Sequence, residues 1–300
     1  MNTIREIDLQ NQQDFWTYLY IETGKSLKEV CGRGAEGVIR AAVRNMSVEK
    51  GKRLRKEYEA AGIKANLQNL YAGENACSAD VRVRQQILKE GEEIRLWEVY
   101  TCPMALIWQH EGCNDLGMYY CEENQRGLVA GFTEGAGQVN LTKKLTCSRT
   151  NGTRPDNHCR FSAYFRMANT PKEKRDRCFT GYGIDGPKAE ISKKDFRTLM
   201  QEQCTSYMTW LTKEAVEAFG EEGRCAVAIG LRKLAERMTE LMLWHAEATL
   251  NACTGEFVHR NLPIGPEAED ALWDGPGAEE AQKLFCRNFL DVLNKNLKLG

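Results

Sequence analysis

The densest collection of reactive side chains lies between Cys102 and Cys159. It holds Cys102, Cys113, Cys121, Cys147 and Cys159 together with two of the four histidines, His110 and His158. Acids are interspersed, among them Glu111, Asp115, Glu122, Glu123, Glu134 and Asp156. A thiol nucleophile needs a depressed pKa, supplied by a helix N-terminus, a nearby histidine or basic groups. Cys159 has His158 and Arg160 beside it, but on a strand adjacent side chains point to opposite faces. Cys121 is followed by Glu122 and Glu123, which raise a thiol pKa and suit a bound cation or amidine better.

A mixed metal site of Cys121, Cys147, Cys159 and a histidine is geometrically open and compatible with zinc. No ligand pair has zinc-signature spacing, however, and isolated cysteines usually just pack. No metal ligand is therefore assigned and the cofactor is left open. Gly131-Phe-Thr-Glu-Gly-Ala-Gly137 lacks the phosphate-loop lysine and the full dinucleotide fingerprint. There is no Ser-centred nucleophile elbow and no HExxH. His245, next to Trp244, reads as a packed or surface residue.

The elements that would position these groups follow from periodicity. Helical spacing runs through Phe15 to Ile21, then Ser26 to Ala61, with a further helix over Ala65 to Leu70. Asp80 to Glu90 is charged and helix-compatible and reads as a solvated face. Ile94 to Cys102 alternates and Met104 to Trp108 is apolar, giving one or two strands interrupted at Pro103. Asp115 to Phe132 fits a short helix. Strand patterns at Gln138 to Ser148 and Cys159 to Met167, joined by a polar loop, predict a hairpin. Beyond a breaker-rich stretch ending at Pro187, helices are expected over Lys194–Phe219, Glu221–Ala252 and Ala278–Leu297, with a loop over Gly255 to Gly277.

The fold class predicted is α+β: N-terminal helices packed on a small antiparallel sheet over residues 1–180, then a mostly helical domain over 181–300. The run from Gly32 to Arg44 lines up with that from Gly220 to Arg232, and each follows an Asp-Phe pair, Asp14-Phe15 and Asp195-Phe196. The second helical region is thus a candidate partial repeat of the first.

Length and composition bound the function. The 300 residues are 42% hydrophobic and 28% charged, a usual globular mix. Lys plus Arg (41) nearly cancel Asp plus Glu (42), for a net charge of −1. That balance argues against nucleic acid as a partner, because affinity there rests on neutralising phosphates. No apolar run approaches the roughly 18 residues of a membrane helix, so no membrane partner is expected. Met1 to Gln10 has no apolar core of a secretion signal. The expected location is cytoplasmic, with the cysteines reduced.

The middle of the chain adds a family likeness. Tyr120-Cys121-Glu-Glu, then Gly131-Phe132, Leu141-Thr-Lys-Lys-Leu-Thr-Cys147, Gly152 and Cys159-Arg-Phe161 together resemble the L-2-amino-thiazoline-4-carboxylic acid hydrolase family over roughly residues 10 to 168. Asn124 stands where that pattern carries an acid, and residues 185–300 lie outside it. The same layout is similar to the vinyl-reductase-like ligand-binding domains, which offers the alternative of a non-catalytic small-molecule or metal-binding module.

The first resemblance implies a hydrolase opening a C–N bond of a small cyclic amidine-like substrate. On that reading Glu122, Glu123 or Glu134 would hold the amidine. Arg149, Arg154 or Arg160 would take the substrate carboxylate. His110, His158, Cys121, Cys147 and Cys159 are the candidates for attack or for activating water, and histidine suits the proton donor best. The partner implied is a small-molecule substrate; a homo-oligomer or a partner subunit is left open.

Overall fold

A computed structural model describes residues 4–72, 82–143, 158–181, 189–191, 194–265 and 272–299. It is α+β, with long helices at both ends of the chain and a small antiparallel sheet between them. Contacts divide it into two units, one formed by Met1–Ala42 with Asp195–Gly300, the other by Val43–Lys194.

The first unit is helical. α1 (Ile4–Cys31) packs on α7 (Phe196–Phe219) and α8 (Glu221–Ala248), and α7 and α8 also carry α10 (Ala278–Phe285). A five-residue π turn, Cys286–Leu290, joins α10 to α11 (Asp291–Leu297). Trp16 meets the Tyr207 ring edge-on at 5.2 Å, and Phe15 meets Phe289 at 5.4 Å. The Tyr207 hydroxyl lies 3.3 Å from Thr23 Oγ1, so its one polar atom has a partner inside the apolar packing. A short helix, α9 (Gly255–Asn261), occupies part of the stretch expected as loop. Thr254 caps it, its hydroxyl accepting from Phe257 N at 3.2 Å.

α1 ends in a 3-10 turn at Gly32–Gly34 and continues as α2 (Ala35–Ala60), so the predicted single segment is broken. α7 and α8 also break at a glycine, Gly220 alone, without a 3-10 turn. Gly32 and Gly220 have φ of 65° and 57°, a region that costs other residues about 1 kcal/mol or more. The third, sixth, seventh, tenth and eleventh residues after each glycine are buried in both copies. The Asp-Phe pairs do not share a role. Asp195 caps α7, accepting from Thr198 N at 3.0 Å, whereas Asp14 lies within α1.

The second unit carries the sheet. β1 (Arg84–Glu90), β2 (Ile94–Thr101), β3 (Gly137–Lys143) and β4 (Cys159–Phe165) pair in the order β1-β2-β4-β3, all antiparallel. β3 and β4 are the expected hairpin. β1 replaces the expected helical face. Arg84 to Lys89 are exposed on both sides of an edge strand, so no burial alternation marked it in the sequence.

α4 (Pro103–His110) is a helix where a strand was read. Pro103 takes the first helical position after extended Cys102, where a missing N–H costs nothing. α5 (Asn114–Phe132) packs on β3, and α6 (Lys172–Cys178) follows β4 in the chain. Gly131 lies so close to α2 that a Cβ there would stand 2.1 Å from Val48 O. On one sheet face Trp97 and Phe161 stack at 4.9 Å with planes 6° apart. Tyr71 of α3 (Leu67–Ala72) meets Trp97 at 5.2 Å.

Candidate functional site

Because side chains alternate along a strand, the face opposite Trp97 and Phe161 receives Glu98 and Tyr100 from β2 and Arg160 from β4. Glu98 and Arg160 are register partners. Arg160 Nε donates to Glu98 Oε1 at 2.7 Å, and Tyr100 Oη donates to Glu98 Oε2 at 2.5 Å. His158, immediately before β4, places Nε2 3.0 Å from Glu98 Oε1. Its ring lies 5.2 Å from that of Tyr100. Three groups thus converge on one carboxylate.

Glu98 and His158 are buried, while the Arg160 side chain is 52% exposed. Burial by itself pushes the Glu98 carboxyl up. Hydrogen bonds from Tyr100 and Arg160, with the charges of His158 and Arg160, outweigh burial and hold it below its ordinary value. The Tyr100 hydroxyl moves the other way, upward, because its proton is held by Glu98. The result is a buried, ionised carboxylate next to a buried imidazole, with a half-exposed guanidinium at the rim.

Of the residues expected to act, His158 and Arg160 are brought together here. Cys159, between them in sequence, is buried on the other face of the sheet opposite Val99. His110 ends α4 with its side chain 85% exposed, Nδ1 3.7 Å from Glu111 Oε1. Cys121 and Glu122 are half-buried on α5. Glu123 is buried and accepts from Arg44 Nε at 2.7 Å. Glu134, exposed after α5, meets Lys174 Nζ at 2.8 Å and Arg55 Nη2 at 3.7 Å. Its carboxyl is held low chiefly by the Lys174 hydrogen bond. Arg149, Arg154 and Cys147 lie outside the described residues. So does part of the thiol set weighed for zinc, and among the described residues no three His, Cys, Asp or Glu are grouped to hold a metal.

Glu98 and Tyr100 were missed in the sequence. The available signal was Glu98 and Tyr100 at i and i+2 of an alternating run, which places both on one strand face.

A family model described as L-2-amino-thiazoline-4-carboxylic acid hydrolase matches residues 14–163. The chain belongs to that family. No curated protein and no solved structure matches it. The hydrolase family's span contains Glu98, Tyr100, His158 and Arg160, and it ends within β4 at Ala163. α7 to α11 lie beyond the part of the chain that the family defines.

Proposed function

We propose that the chain is a hydrolase that opens a C–N bond in a small cyclic amidine, of the kind an amino-thiazoline carboxylate presents. The family assignment supports the reaction class. The observation that carries the reading is the Glu98–His158 contact at 3.0 Å, within a buried cluster whose rim is the half-exposed Arg160 side chain.

Each residue has a distinct task. The Arg160 guanidinium, with Nε and Nη2 on Glu98, keeps its other edge for the substrate carboxylate. His158 acts as general base toward water, with Glu98 stabilising the imidazolium that forms. Water adds to the ring carbon between nitrogen and sulfur, giving a tetrahedral adduct. Its collapse breaks the bond to the ring nitrogen, which takes one proton from His158 and the second from the adduct's hydroxyl and leaves as an amine. The carbonyl formed stays on sulfur, so the step consumes one water and needs no redox partner. A thiol nucleophile is disfavoured at this face, because Cys159 points away from it.

The test is ring opening of 2-amino-thiazoline-4-carboxylate by the full chain carrying His158→Ala or Glu98→Gln. Loss of turnover by about 100-fold or more is expected for the first, the usual scale of a positioned base. Undiminished turnover in folded His158→Ala protein removes the site.

A further inference from the structure

The C-terminal half of α8 presents an apolar patch to solvent. Leu243 is 51% exposed, Trp244 61%, and Leu250, just past the helix end, 96%. Leu250 also holds a left-handed φ of 56°, where glycine is the usual residue. Clustered large apolar side chains in water mark contact surfaces, and tryptophan is the residue most enriched at binding hot spots.

Acids on the same helix flank the patch. Glu236, Glu240 and Glu247 are exposed on the same helix. Leu243 and Trp244 each lie three or four residues from both Glu240 and Glu247, with one acid at each end of the apolar pair. Among the described residues none pairs with these three carboxylates. The cations of the neighbouring face are already used, Lys233 on Glu29 at 2.6 Å and Arg237 on Glu22 at 2.8 Å.

We propose that this ridge docks a basic amphipathic helix of another protein. From residue 236 to 250 the ridge is about 20 Å long, the length of a four-turn helix laid alongside. Its acids call for lysine or arginine flanking the partner's apolar stripe. They repel an anionic lipid surface, which attracts basic segments. They also disfavour a two-fold contact between copies of this chain, which would set the same acids against each other.

The probe is a fluorescein-labelled helical peptide of about 18 residues, leucine at helical spacing and lysine elsewhere, titrated against the full chain by anisotropy. A matched peptide with glutamate for lysine is the control. Saturable binding of the lysine peptide is expected, weakening with salt and reduced about tenfold or more by Trp244→Ala. The double change Glu240→Gln with Glu247→Gln is expected to flatten the salt dependence. All three side chains are exposed, so the melting temperature should stay unchanged. No binding, equal binding by Trp244→Ala, or equal binding of the glutamate peptide overturns the proposal. Trp244-dependent self-association in sedimentation, or Trp244-dependent binding to phosphatidylserine vesicles, overturns it in favour of another occupant.

Discussion

Glu98 and Arg160 stand directly opposite each other in the β2–β4 pair, and the guanidinium Nε meets the carboxylate at 2.7 Å. The pair links 62 positions of sequence, so the sheet register, not local sequence, creates it. The same carboxylate accepts from Tyr100 and lies 3.0 Å from His158 Nε2, which ties acid stability to the integrity of the candidate site.

Glu98 should make folding stability fall in acid. Its carboxyl is held below the ordinary value of 4.5 in the folded chain. A depressed carboxyl contributes stability that is complete above the unfolded value and lost as pH drops through the lower folded one. Thermal melts from pH 6 downward should therefore steepen below about pH 4.5, and Glu98→Gln should remove part of that slope. An identical acid limb in the variant contradicts the account.

Cys159→Ala separates the two faces of the sheet. The thiol is buried opposite Val99, so the change should lower stability by about 1 kcal/mol while turnover is retained. Turnover lost together with that of His158→Ala would place the thiol in the chemistry.

Gly131→Ala should destabilise the second unit by about 2 kcal/mol or more, because the added carbon meets Val48 O at 2.1 Å. A fall in the urea midpoint at unchanged slope is the expected signature. No fall would mean that α2 and α5 can separate without penalty.

Asp195→Ala removes the α7 cap, where the carboxylate accepts from both Thr198 N at 3.0 Å and Thr198 Oγ1 at 2.6 Å. The loss should be about 1 kcal/mol. The carboxyl is held low chiefly by the Thr198 hydroxyl, so the difference from the parent should vanish as pH falls below the ordinary carboxylate range. Denaturant melts at two pH values measure both.

Long periodic segments were legible from sequence: α5, the β3–β4 hairpin and the helices after residue 195 each repeat one period over many residues. The short ones were not. Met104 to Trp108 is apolar over fewer residues than distinguish a strand from a buried helix, and Pro103 fits the start of either. β1 is exposed on both faces, so it carries no two-residue alternation at all. For the candidate site, residue type alone picked out His158 and Arg160, but equally His110, which stands in water. The deciding partner, Glu98, lies on another strand, and no local pattern links it to residues 158 to 160.

The first unit is built from both ends of the chain: Thr23 meets Tyr207 across 184 positions and Glu22 meets Arg237 across 215. During synthesis α1 leaves the ribosome long before α7 and α8 exist to cover Trp16, Leu19 and Tyr20. The nascent chain therefore carries this uncovered apolar segment through most of translation. Closure waits on distant contacts, so truncation before α8 should yield an aggregating product rather than a smaller stable protein.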